Sequence, residues 1–153
     1  MRYAVSAVAT LVVLAGLAAP AWAQGKAPLA RFDIKDGAIA ASLTGTAGDP
    51  QKGRQAVVSR TLGNCIACHE VTALKNEPYH GNTAPSLDGV ASRMSEGELR
   101  LRVVDGTKVN PDTMMPPFYR VDGLNKVMGR FKDTTILSAE QVEDVVEIGR
   151  AHV

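Results

Sequence analysis

The chain has 153 residues, with 17 basic and 16 acidic side chains, three His and two Cys. That length suits a single domain, and a formal net charge of +1 gives no electrostatic footing for binding nucleic acid. At 45% hydrophobic and 22% charged the chain is expected to fold, while two closely spaced cysteines exclude a disulfide framework.

Residues 1–23 read as a secretory signal peptide. Arg2 supplies the positive start, residues 4–19 are almost wholly apolar, Pro20 breaks the run, and Ala21-Trp22-Ala23 offers a small-x-small cleavage site. The apolar run falls short of the roughly 20 residues that a membrane span needs. Cleavage after Ala23 is therefore expected to release an exported chain starting at Gln24. No second apolar stretch of that length follows, so no membrane span is expected after cleavage. Removal of Trp22 leaves three Phe and two Tyr, Tyr79 and Tyr119, to build a core. Aromatic side chains usually dominate core burial, so a large apolar group from outside the sequence is expected to complete it.

Residues 24–47 are rich in Ala and Gly without a sustained period, and read as an extension that only a partner would order. The domain is expected to span 48–153. Asp49-Pro50 pairs an N-cap with a favourable first helical residue, opening a helix to about residue 59 with Ala56 and Val57 as its apolar patch. Residues 70–88, with Pro78, Gly81 and Pro85, read as loop. Ser95 with Glu98 forms a capping box, and Gly106 is a stop signal. The alternation Leu99-Arg100-Leu101-Arg102-Val103 also suits a strand, but the caps on both sides favour a helix. Residues 110–120 hold three Pro and are expected to be irregular. Ser138 with Gln141 is a second capping box, opening a helix with Val142, Val145 and Val146 on its apolar face. The result is an all-α chain of short helices joined by long loops, and a buried cofactor explains loops of that length.

The chain ends in Glu147-Ile148-Gly149-Arg150-Ala151-His152-Val153. Gly149 stands where a helix interior should continue, and the same residues are encoded by one frame of a widely used sequencing adapter. Residues 147–153 are accordingly expected to be read-through and not native, a reading that the same codons in genomic DNA would sink.

Cys65-Ile66-Ala67-Cys68-His69 is C-x-x-C-H, the attachment signature of c-type haem. Each thiol can add to one haem vinyl group, and His69 then lies beneath the iron as proximal ligand. One covalent haem c is the expected cofactor. A thioredoxin-like reading lacks a βαβ context, a zinc site finds only His80 and His152 beside the motif, and a Cys65–Cys68 disulfide is the plainest alternative. Candidates for the sixth iron position are Met94, Met114, Met115, Met128, His80 and His152. Met115 is preferred, because Pro116 forces it onto extended, stiffened backbone. Met114 follows, and His80 reads as a loop residue.

The segments Gly63-Asn64-Cys65-Ile66-Ala67-Cys68-His69, Ala84-Pro85-Ser86-Leu87, Asn110-Pro111-Asp112-Thr113-Met114-Met115-Pro116-Pro117-Phe118-Tyr119-Arg120 and Gly123-Leu124, with residues 136–146, resemble SoxX. SoxX is the mono-haem cytochrome c subunit of the periplasmic SoxAX complex of sulfur-oxidising bacteria. The likeness runs from about residue 48 to 146. It implies a class I cytochrome c fold, in which the helix starting near Pro50 crosses the one starting near Ala139. It also implies His69 and Met115 as axial ligands, with the Pro85 carbonyl orienting His69; Ala84 stands where the family usually has Gly. Further, it implies a periplasmic location and a SoxA-like cytochrome partner. Transient contacts with a SoxYZ-like carrier and a small electron acceptor are implied as well. In that scheme SoxA joins thiosulfate oxidatively to a cysteine of SoxYZ, an L-cysteine S-thiosulfotransferase reaction. The SoxX-like chain accepts the electrons and holds no catalytic residue.

A free mono-haem shuttle between periplasmic redox partners is the alternative function. A haem peroxidase or gas sensor is a third, and it requires a vacant sixth position. Arg93, Arg100, Arg102, Lys126 and Arg130 are candidates for docking a partner, although a solvated surface explains most of them.

Overall fold

The computed structural model describes residues 28–151. The expected signal peptide with its cleavage after Ala23, and the candidate His152, lie outside the described residues. Among those described there are three α-helices, several single 3₁₀ turns and no strand, only an isolated antiparallel bridge between Lys35 and Ala38.

Each helix begins where the capping chemistry puts it. Asp49 holds an extended backbone and its carboxylate accepts from the Gln51 and Lys52 amides, opening α1 (Pro50–Val58). Ser95 and Glu98 complete their reciprocal box at the start of α2 (Glu96–Asp105), which stops at Gly106. In α3 (Ala139–Ala151) the Gln141 amide donates to Ser138 Oγ at 3.2 Å, and Gln141 Oε1 accepts from the Ser138 amide at 2.9 Å.

α1 and α2 both pack on α3. The α1–α3 approach is backbone against backbone: a Cβ on Gly53 would stand 2.0 Å from the Asp144 carbonyl oxygen, and one on Gly48 would stand 2.2 Å from Glu143 main-chain atoms. Around that crossing Ala56, Val57, Leu101, Val104, Val142 and Val146 form the core. α3 continues through Gly149 with Ile148 buried. A methyl at 149 would meet Leu99 and Val90 side chains at 3.9 Å, an ordinary contact, so the glycine does not interrupt the helix.

Two expectations change. Arg100 is not a docking side chain: it is 0% exposed, with Nε 2.8 Å from Glu143 Oε1 and Nη1 2.7 Å from the Ile39 carbonyl. Glu96 takes another of its donors. Desolvation works against its charge, but the hydrogen bonds to Glu143 and Glu96 outweigh it and hold the guanidinium pKa above its ordinary value. The Leu-Arg-Leu alternation therefore came from a charge facing inward on a helix, not from a strand.

The extension, in its described part from residue 28, is packed by this chain itself. Ile39 is 1% exposed, its amide donates to the Gly97 carbonyl at 3.0 Å, and the Leu43 amide donates to Glu143 Oε1 at 2.9 Å. Farther out, the Ala30 amide donates to the Tyr119 hydroxyl at 2.8 Å. Isolated anchors such as Ile39 leave no period in the sequence, which is why the segment reads as featureless.

Candidate functional site

The Cys65–Ala67 segment is a single 3₁₀ turn, entered through Asn64 in the left-handed region at φ 48°. Asn tolerates that conformation better than other side chains. The Cys68 and His69 amides both donate to the Cys65 carbonyl, at 3.1 and 3.0 Å, which winds both cysteines and the histidine round one turn. Cys65, Cys68 and His69 then line a single cavity of about 950 Å³, together with Pro85 and Met115. Its walls are largely apolar and include Val57, Val71, Leu74, Leu87, Phe118 and Val146. That volume is at the upper end for small-molecule pockets, as a macrocycle requires.

Cys65 and Cys68 form no disulfide with each other. Desolvation pushes the Cys65 thiol up to about 12, against a smaller lowering from its backbone hydrogen bond. Redox-active cysteines have lowered values, so the motif lacks the electrostatics of a thioredoxin-like dithiol. Among the described residues no cluster of three or more His, Cys, Asp or Glu is placed to hold a bare metal ion.

His69 Nδ1 lies 2.6 Å from the Pro85 carbonyl oxygen. A carbonyl only accepts, so Nδ1 carries the proton and Nε2 keeps its lone pair for an iron. The Pro85 segment is laced to the motif on both sides: the Ala84 amide donates to the Cys68 carbonyl and the Leu87 amide to the Glu70 carbonyl, each at 3.0 Å. Ala84 thus makes the local backbone contact although it replaces the family's glycine.

Met115 is half-buried against the core, with its sulfur 4.0 Å from where a Cβ on Gly106 would lie. Its loop is tied to α2 by the Phe118 and Tyr119 amides, which donate to the Val103 and Val104 carbonyls at 3.2 and 3.1 Å. The other candidates are placed differently. Met114 is 79% exposed at the cavity rim and Met94 also lines the wall, whereas Met128 and His80 stand outside it.

Two features escape sequence reasoning. The Arg93 guanidinium bridges the Ser86 and Asp88 carbonyls, and Arg120 donates to the buried Asp105 carboxylate at 2.8 Å. Neither pairing has a spacing rule that would reveal it, because both are made across loops.

Two thiols, an imidazole with a free Nε2 and a thioether on one apolar cavity fit a covalently held haem. The chain's residues 50–147 match the sequence profile of the cytochrome c family. No curated protein matches the chain. Among solved structures it is similar to a chain of the crystal structure of SoxXA from P. pantotrophus, with a TM-score of 0.73 and 37% sequence identity. That match covers 78% of this chain and 93% of the other. The chain belongs to the cytochrome c family, binds haem c covalently, and is a SoxX-like electron-transfer cytochrome.

Proposed function

We propose that this chain is the electron-accepting subunit of a periplasmic SoxAX-like complex, paired with a SoxA-like cytochrome. The supporting observation is the 37% identity over 93% of a chain of the SoxXA structure. In this reading the complex links thiosulfate oxidatively to a cysteine of a SoxYZ-like carrier. Forming that S–S bond releases two electrons, which a one-haem chain carries onward singly to a small acceptor. No residue of this chain makes or breaks the substrate bond.

When bound, the haem supplies a one-electron couple. The residues provide the rest. Cys65 and Cys68 would hold the macrocycle covalently, His69 Nε2 and the Met115 sulfur would hold its iron, and the Pro85 carbonyl orients the imidazole. A thioether in the sixth position raises the reduction potential, as an electron acceptor needs. The apolar walls keep water from the iron. With Met115 as sixth ligand, the open iron site that a peroxidase or gas sensor needs would be lacking.

The signal peptide at residues 1–23 supports the periplasmic location, and no helix among the described residues is long and apolar enough to cross a membrane. The test is a tagged pull-down from periplasm of thiosulfate-grown cells. Recovery of a second c-type cytochrome in equal amount supports the complex. Recovery of the mono-haem chain alone sinks the obligate partner and leaves the free shuttle.

A further inference from the structure

We propose that Tyr119 is a positioning residue for the methionine loop. Its hydroxyl is the catch by which a clip of residues 30–39 holds that loop, and Met115 with it, against the body of the domain. The inference rests on the reading of Met115 as sixth iron ligand.

The clip is stiff at its turn and fastened at both ends. Lys35 and Ala38 exchange both backbone hydrogen bonds, each at 3.0 Å, across Asp36 and Gly37, which stand at φ 51° and 74°. Asp-Gly with both residues left-handed matches the type I′ turn, whose twist suits a hairpin. One leg is pinned to α2: Ile39 is buried, its amide donates to the Gly97 carbonyl at 3.0 Å, and its carbonyl accepts from Arg100 Nη1 at 2.7 Å. The other leg lays Phe32 and Ala30 on the core and ends at the methionine loop, where the Ala30 amide donates to the Tyr119 hydroxyl at 2.8 Å.

Tyr119 acts on the ligand through the loop. It is 5% exposed, and the cavity wall is formed by its neighbour Phe118 rather than by Tyr119. Its amide is fixed to the Val104 carbonyl at 3.1 Å, so the residue bridges α2 and the clip. On the outgoing side of the loop the Asp112, Thr113 and Met115 amides are satisfied within the loop itself, by Asn110 and Thr113 acceptors. The return end is therefore where the loop is tied down. Freeing it raises the population in which the Met115 sulfur has left the iron, and a ligand from solution binds in proportion to that population. The clip thus keeps the sixth position closed, as an electron carrier requires.

The experiment uses the full chain with haem attached. Imidazole is titrated into ferric wild type, Tyr119→Phe, Gly37→Val and the double variant, and amide hydrogen exchange is followed at Phe118 and Tyr119. Tyr119→Phe keeps the ring and removes the catch. At Gly37 a Cβ meets nothing within 4 Å, so Gly37→Val acts only by straining the left-handed turn. Each change is expected to raise the apparent imidazole affinity about threefold to tenfold, the range that one net hydrogen bond spans, with faster exchange at 118 and 119. A purely global loss of stability lowers the urea midpoint and leaves this affinity as it was. Because both changes act through one connection, the double variant should gain no more than the larger single change. If Gly37→Val does not accumulate, Tyr119→Phe alone decides. Unchanged affinity in Tyr119→Phe overturns the proposal, and so does full additivity in the double variant. Absence of the far-red sulfur-to-iron band from the wild type overturns the ligand assignment instead, and the proposal with it.

Discussion

Arg120 and Asp105 join the two ends of the Met115 arch. Nη1 of Arg120 donates to Asp105 Oδ2 at 2.8 Å and to Thr107 Oγ1 at 3.1 Å, while Thr107 turns its own hydroxyl and amide to Asp105 Oδ1. Asp105 is buried at the end of α2, immediately before the glycine against which the Met115 sulfur packs. Arg120 closes the Pro-rich loop that leaves from the same place. Replacing Arg120 by Met leaves a buried carboxylate with only the Thr107 donors. A loss of about 2 kcal/mol is expected, since Arg120 is partly open to solvent. On heating ferric protein, the far-red sulfur-to-iron absorbance should vanish at a lower temperature than the global unfolding signal. Coincident transitions in the variant would count against a role at the methionine loop.

The helix crossing yields a sharper steric expectation. At Gly53 the obstacle to a Cβ is the Asp144 carbonyl, a backbone atom inside a helix that cannot rotate away. Gly53→Ala must separate α1 from α3 or unwind one of them, at a cost of about 3 kcal/mol. Gln55→Ala, an exposed change on the same helix, should be near neutral. Urea unfolding of the two variants measures the contrast, and equal midpoints would show that the crossing yields easily.

The sequence makes some of this architecture plain and hides the rest for physical reasons. Caps are local, so Asp49, Ser95 and Ser138 mark the three helix starts from residues within four positions of each other. The C-x-x-C-H motif is equally local, and Pro116 singles out Met115 through its effect on the preceding residue. Arg100 is misleading because charge usually signals solvent, and its partner Glu143 lies 43 residues away. Residues 28–48 hide for a similar reason. Their anchoring is by single contacts to α2, α3 and Tyr119, which no periodic pattern encodes.

Glu143 tests that hidden part. Its carboxylate holds the fully buried Arg100 and also accepts from the Leu43 amide. Glu143→Ala leaves the buried Arg100 with only Glu96 and the Ile39 and Ala40 carbonyls and removes the acceptor of the half-buried Leu43 amide, a change expected to cost about 3 kcal/mol. The loss should be uneven. Amide hydrogen exchange at residues 39 and 43 is expected to accelerate more than exchange in the middle of α3. Uniform acceleration would mean that the segment 28–48 is not clasped through this pair.

Part of the acid dependence should come from the Asp88 anchor. Hydrogen bonds from the Thr72 hydroxyl and amide, aided by Ser86 and Arg93, hold its carboxyl below the ordinary 3.8 despite some desolvation. The folded state therefore binds fewer protons than the unfolded state near that pH. The associated stability is present above the unfolded value and is lost as pH falls through the lowered folded value. Asp88→Asn should flatten the fall in urea midpoint between about pH 5 and about pH 2. Glu98, lowered by its bonds to Ser95, continues to contribute its own share. An unchanged slope in Asp88→Asn would place the acid sensitivity elsewhere.

The adjacent methionines separate ligand from neighbour. Met115 is half-buried and packed on the core, whereas Met114 is 79% exposed at the rim of the same cavity. The chain bends at Met115, so the two adjacent side chains are distinguished by their burial. Met115, the more buried of the two, is therefore the proposed iron ligand. Met114→Leu should leave the ferric spectrum and the potential as in wild type. Met115→Leu should remove the far-red sulfur-to-iron band and open the sixth position to exogenous ligands such as imidazole. Met115→His should restore a six-coordinate iron at a lower potential, because a second nitrogen ligand favours the ferric state relative to a thioether. Loss of the band in Met114→Leu and its retention in Met115→Leu would reverse the assignment and require the loop to turn over in the haem-bound protein.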